Sequence, residues 1–274
     1  MSQLLPDLSL VGTRFDHEVD HQAQQQPLPK VVPVTDTDLR HLPAPVARYL
    51  RRAGVVGRPR VHNFVVDLDA ELNRAPGAEW MHTPVLQVSF VDHPSRLFLL
   101  RTRMHGLPVS GLHQYDDSGA SMDIRLLGLL HVADARGDAF ARAETVTVLN
   151  DFCIMAPAVL IDERFTWGPI DDRQCGVTFR NGERVVHAQL FFDEHGDLVD
   201  FSSADRQVLP DDGERWSTPL HQYHEFGVAR LASAGDAIWH FANKPSWTYG
   251  RFSIRRVRYN VPPDELPRAE QLER

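Results

Sequence analysis

Cysteine, surplus basic charge and long apolar runs are all scarce in this chain of 274 residues, and each shortage removes a class of protein. Its two cysteines, Cys153 and Cys175, cannot build a disulfide framework, and neither sits in a CxxC pair. A reducing compartment is therefore expected. The formal charge of -8 speaks against the basic footprint of a nucleic-acid binder, and no nucleic-acid partner is expected. The local exception, Arg251–Arg258 (RFSIRRVR), alternates charge with apolar residues. It reads as a sheet strand with one solvated face, the other reading being a polyanion site. No apolar run is long enough to cross a bilayer without polar interruption. The opening MSQLLPDLSLVG lacks a basic n-region and carries Asp7 early, so no signal peptide is expected. These features predict a soluble, cytoplasmic protein with no membrane span.

Recognisable catalytic signatures are scarce too. There is no Gly-rich phosphate loop, no G-x-S-x-G elbow and no metal-spaced Cys/His cluster. No cofactor and no metal are expected. His17-Glu18-Val19-Asp20-His21 does match H-E-x-x-H, but that chemistry needs a buried amphipathic helix and a third ligand. Its flanks are polar and a Gln/Pro stretch follows, so the match reads as coincidence.

Residues 1–37 read as an N-terminal arm and linker. His21–Lys30 is polar and Pro-bounded, and Leu4, Leu5, Leu8 and Leu10 suit a small docking turn, which suggests a homodimer formed through the arm. A single sheet-rich domain is expected over 38–274. It opens with a helix after Pro43 that stops at Gly54. Short β-prone segments follow to residue 130, then a helix over Ala141–Met155 and a second short one over Ala158–Asp162. A second strand series begins at Phe165, and Asn181-Gly182 within it is a strong hairpin signal. Tight turns imply antiparallel pairing. The expected fold is α+β: a large curved antiparallel sheet or half-barrel of about ten strands wrapped around central helices.

The densest chemistry lies in Glu144–Asp162, ETVTVLNDFCIMAPAVLID. Asn150 and Asp151 stand side by side in an apolar helix, where an ionisable group must be paired, hydrogen-bonded, shifted in pKa or near water. Adjacent helical side chains diverge by about 100°, so the two can line one cavity without sharing a contact. Asp151 is the candidate acid/base and Asn150 the group that orients a ligand, with Asp162 at the end of the second helix. The alternative is a structural pair that ties the helix down. Arg206 is a candidate partner for Asp151 or Asp162, or a member of a surface ion pair.

His221, Tyr223 and Glu225 fall on one face of a strand, which suits either proton transfer or a solvated face. The same two readings apply to His105 and His113. Trp167 and Trp239, among five tryptophans, are candidates to line an apolar cavity or to serve as core.

LPAPVARYLRRAG, ETVTVLNDFCIMAPAVLID, LFFDEHGDLVDFSSADR and the closing HEFG, AIW and RYN segments resemble an uncharacterised bacterial family, domain of unknown function 6544, from His41 to Asn260. The resemblance implies a sheet-rich fold similar to the open half-barrel of lipoprotein carriers. It implies no catalytic residue.

Two functions from different classes are expected of one pocket. The first is binding of a hydrophobic, lipid-like or polyketide-like small molecule, with Asn150, Asp162, Arg206, Trp167 and Trp239 as contacts. The second is a cofactor-independent enzyme for cyclisation, isomerisation or hydrolysis, with Asp151, His221 and Tyr223 as its catalytic groups. A third reading is an interaction protein that docks through its arm.

Overall fold

A computed structural model describes residues 8–128, 130–209 and 212–273. Helix α1 (Leu8–Gln25) leads to α2 (Ala44–Arg52). Then come six strands: β1 (Asn63–Leu72), β2 (Met81–Phe90), β3 (Ser95–Met104), β4 (Leu107–Asp116), β5 (Gly119–Leu126) and β6 (Leu130–Arg136). Helix α3 (Asp138–Met155) and a 3-10 turn (Pro157–Ile161) follow. Next are β7 (Phe165–Pro169), β8 (Gln174–Asn181), β9 (Arg184–Phe192), β10 (Leu198–Ser203) and β11 (Arg215–Ser217). The strands end with β12 (Leu220–Glu225), β13 (Arg230–His240) and β14 (Trp247–Tyr259), and 3-10 turns lie at Pro263–Glu265 and Ala269–Glu273.

All fourteen strands join one curved, open antiparallel sheet, in the order β6-β5-β4-β3-β2-β1-β14-β13-β11-β10-β9-β8-β7, with β12 also on β13. The chain starts mid-sheet at β1 and walks outward to the β6 edge. It crosses through α3 to the opposite edge at β7 and walks back until β14 pairs with β1. Strand β14 is the basic RFSIRRVR segment. Its arginines meet carboxylates on β1: Arg251 with Glu71, Arg255 with Asp69 and Arg256 with Asp67. That is the solvated-strand reading, with cross-strand ion pairs supplying the alternation.

The two-residue strand period sorts side chains to two cores. Phe64, Val66, Leu68, Val85, Phe98, Leu100 and Tyr115 point to the concave face, which α2 and α3 cover. Val65, Leu86, Val88, Phe90, Leu97, Leu99 and Leu112 point to the convex face. There Val11, Phe15, Val19 and Ala23 of α1, spaced by four, form one apolar stripe against them.

Residues 8–25 are thus a helix seated on its own sheet and not part of an extended arm. The polar window hid a stripe only one residue wide. Gln26 fastens its end, donating to the His93 carbonyl (2.9 Å) and accepting from the His93 N–H (2.8 Å). Of the expected docking turn, Leu4 and Leu5 lie outside the described residues, and Leu10 is exposed.

Helix α3 lies within the concave face and touches strands of both wings, including β4, β5, β9 and β13. Nearly all of it is buried, Glu144, Asn150 and Asp151 included, so its polar side chains need partners inside the protein. Its C-terminal carbonyls have no partners within the helix. Tyr49 donates to the Cys153 carbonyl (2.8 Å) and Tyr259 to that of Met155 (2.5 Å). Near its start, the Thr145 and Tyr115 hydroxyls bond each other (3.0 Å), and the Asn181 amide donates to Tyr115 (2.8 Å). One short chain of hydrogen bonds thereby joins the helix to β4 and β8, one strand in each wing. The Asn181-Gly182 hairpin forms as expected: Gly182 takes the positive φ (59°) at the first loop position, leaving Asn181 on the strand to make this bond.

Candidate functional site

Between α3 and the concave sheet lies a cavity of about 390 Å³. Its walls are apolar: Leu68 and Leu72 of β1, Leu100 of β3, Val109 of β4 and Ile154 of α3. Leu72, Met81 and Met104, where β1, β2 and β3 approach their turns, line it as well. One group of polar residues forms a floor on α3 and the inner parts of β2 and β3, while Asn73, Arg74, Thr102, Ser233 and Asp236 line the cavity elsewhere.

Asp151 is at the centre of that floor. Its Oδ2 accepts from Arg96 Nε (2.7 Å) and from Gln87 Nε2 (2.8 Å). Arg96 also approaches Glu144 (3.4 Å) and lies over the Phe98 ring at 4.4 Å. Glu144 and Asp151 are seven residues apart, two helical turns, and so share a face. Arg206 completes the set, reaching Glu144 at 3.9 Å and donating to Thr147 Oγ1 at 3.2 Å. Its guanidinium covers the Trp216 ring at 4.4 Å and sits 5.6 Å from that of Trp239. Two guanidiniums face two carboxylates, so the formal charges cancel. Asn150 points elsewhere, as the helical angle requires, and donates to Thr218 Oγ1 (2.7 Å) while still lining the cavity.

Burial raises the Asp151 pKa above the usual carboxylate range, although Arg96 and the Gln87 bond oppose the shift. His113 also lines the cavity, and burial holds its imidazole down at about 4, with Glu144 opposing and Arg96 and Arg206 assisting. It is a neutral ring at neutral pH.

Of the residues expected at the site, Asn150, Asp151 and Arg206 line this cavity, and Trp239 backs Arg206. The others lie elsewhere. His221 is half-exposed on β12 and meets Asp236 (3.7 Å) at the rim. Tyr223 donates to the Leu198 carbonyl (2.8 Å) beneath the Arg230 guanidinium, beside a separate ion cluster in which Arg52 and Arg230 grip Asp197. Asp162 is chelated by Arg164 two residues away, closing its own turn. Trp167 stacks on Phe165 at the β7 edge. Gln222 between His221 and Tyr223 takes a positive φ (56°), which interrupts the regular strand alternation, and the two side chains meet different partners.

Arg206 was expected opposite Asp151 or Asp162 and pairs instead with Glu144; Asp151 takes Arg96. Gln87, Arg96 and Glu144 were not singled out as site residues, and His113 was named only alongside His105, with proton transfer and a solvated face as its two readings. The signal for Glu144 was available, since it sits two turns before Asp151. Gln87 and Arg96 each interrupt an apolar strand, and that interruption looks the same as an ordinary outward-facing residue. His17 and His21 stand one turn apart on the exposed face of α1, and no group of three or more potential metal ligands occurs among the described residues.

The chain is similar in structure to a DUF1329 family protein from Desulfovibrio piger (TM-score 0.44, 11% identity, covering 80% of this chain and 92% of that one). It is similar also to a chain named as an outer membrane lipoprotein-sorting protein domain from Vibrio parahaemolyticus (TM-score 0.43, 10% identity, 78% and 92%). No curated protein matches it. Among families, the match runs over residues 32–252, most of the chain, and the protein belongs to the family of unknown function DUF6544.

Proposed function

We propose that this protein binds an apolar small molecule, lipid-like or polyketide-like, between the curved sheet and α3, in the reducing cytoplasm. One observation carries the reading: a cavity of about 390 Å³ has largely apolar walls and a floor of buried polar groups that are paired with one another. That is the distribution expected of a site where burial supplies affinity and a few polar contacts set orientation. Asn150, Asp151 and Arg206 serve as those contacts, and Arg96 and Gln87 hold Asp151 in place. Both thiols, Cys153 and Cys175, are free and buried, which suits that compartment.

The test is native mass spectrometry of the protein as purified, with extraction of any adduct. A stoichiometric apolar molecule is expected in the wild type and absent from Ala232→Trp, which puts an indole into the cavity wall. An adduct that survives Ala232→Trp in a folded protein would place the ligand elsewhere.

A second reading is favoured by the paired titration behaviour of Asp151 and His113. Burial raises the Asp151 carboxyl above its ordinary value and keeps His113 an uncharged ring, so a protonatable carboxyl and a neutral imidazole line one cavity, groups that acid/base catalysis uses. A cofactor-independent cyclisation, isomerisation or hydrolysis would use Asp151 with His113 in the role first given to His221 and Tyr223. Commitment of Asp151 Oδ2 to both Arg96 and Gln87 supports binding over proton transfer. Asp151→Asn separates the two: loss of turnover of a candidate substrate at unchanged affinity identifies the enzyme.

A further inference from the structure

The floor of the cavity carries more information than its polarity. Gln87 is fully buried, and both protons of its amide are spoken for: Nε2 donates to Asp151 Oδ2 (2.8 Å) and to Ser89 Oγ (3.0 Å). Those partners fix which way the amide faces. Turned over, its oxygen would confront a carboxylate oxygen. The Gln87 Oε1 acceptor is therefore left buried with no hydrogen-bond partner, in a side chain that lines the cavity. A buried orphan acceptor is costly and calls for a donor. Asp151 Oδ1, on the same floor, likewise takes no hydrogen bond from any described residue. The two arginines of this floor are already matched, Arg96 by Asp151 and Glu144, and Arg206 by Glu144; Arg74, which also lines the cavity, belongs to the β1–β2 connection and not to this cluster.

We propose that the ligand ends in an uncharged hydrogen-bond donor, a hydroxyl, that is received by Gln87 Oε1 at the cavity floor. This deepens the binding reading and rests on it. A carboxylate or phosphate end brings only acceptors to face acceptors, in a cluster with no surplus positive charge. An ammonium end brings donors, but adds a third cation beside Arg96 and Arg206.

The experiment uses four probes with one alkyl chain and different ends: dodecanol, its methyl ether, dodecanoate and dodecylamine. Each is titrated calorimetrically into the wild-type protein, stripped of adducts, below the concentration at which the probe self-associates. Dodecanol is expected to bind about tenfold or more tightly than the ether, which keeps the oxygen and loses the donor, and than either charged probe. In Gln87→Met, which keeps the length and removes the acceptor, the gap between alcohol and ether is expected to close. If that variant does not fold, the wild-type ranking alone decides. Equal affinity for alcohol and ether, or tighter binding of dodecanoate or dodecylamine, overturns the hydroxyl assignment while leaving the binding reading intact. Failure of all four probes to bind overturns both.

Discussion

Arg96 and Asp151 test how a charge survives inside a greasy sheet. Removing one member of a buried pair leaves the other uncompensated, which costs far more than the pair contributes. Arg96→Met is expected to destabilise the fold by about 3–5 kcal/mol in urea unfolding. The double variant Arg96→Met/Asp151→Leu keeps Arg206 opposite Glu144 and restores balance, so most of that loss should return. A double variant as unstable as the single one would show that geometry, and not charge balance, governs the cluster. Titration offers a second test at single residues. Burial raises the Asp200 carboxyl to about 6, with the Phe201 backbone bond and Arg215 opposing, and holds His113 at about 4. As pH falls from about 6 toward 4, folded Asp200 takes its proton before the unfolded chain does, which adds stability. Over nearly the same window the unfolded chain protonates His113 while the fold refuses, which subtracts it. The two slopes oppose each other. Asp200→Asn is expected to leave a steeper acid-side loss between pH 6.5 and 4, and His113→Phe a flatter curve or a rise, in thermal melts across that range.

At the scale of the element, α3 is held less by its own propensity than by hydroxyls from its neighbours. Tyr49 and Tyr259 satisfy its last carbonyls, and Tyr115 ties its start to both wings of the sheet. Tyr115→Phe leaves the Asn181 amide without its partner in a dry site, and should cost about 1–3 kcal/mol in chemical denaturation. A loss near zero would mean that water or a shifted Asn181 takes over. The helix itself was legible because an apolar run with Asn150 and Asp151 inside it admits few arrangements. The Asn181-Gly182 hairpin was legible because glycine supplies the backbone angle the turn needs. Helix α1 was not: Val11, Phe15, Val19 and Ala23 make a stripe too narrow to stand out among glutamines and histidines. Strand β6, mostly exposed at an edge, and the three-residue β11 gave no pattern to read, so the count of about ten strands fell short of fourteen. The partners of Asp151 were hidden for a different reason. Gln87 and Arg96 are far from it in sequence, and only the register of β2 against β3 brings them to one floor.

For the molecule as a whole, the sheet and helix enclose a space that a suitable ligand would fill, and filling it links binding to stability. A ligand present at about a hundredfold its Kd should add about 2.7 kcal/mol to unfolding, read as a rise in Tm that scales with ligand concentration. A probe that binds by calorimetry without moving Tm would be occupying some other surface.

The order of strands also governs how the polypeptide comes off the ribosome. Strand β1 is made long before its second neighbour, β14, and Phe64 waits for Tyr259. Until then the nascent sheet exposes a long row of unpaired amides in its middle, an open invitation to another chain. A version ending at Lys244 should therefore associate through that bare edge and elute as aggregate, while the full chain should stay monodisperse. Vectorial synthesis makes the sealing of β1 by β14 a late and slow long-range pairing in the birth of the protein.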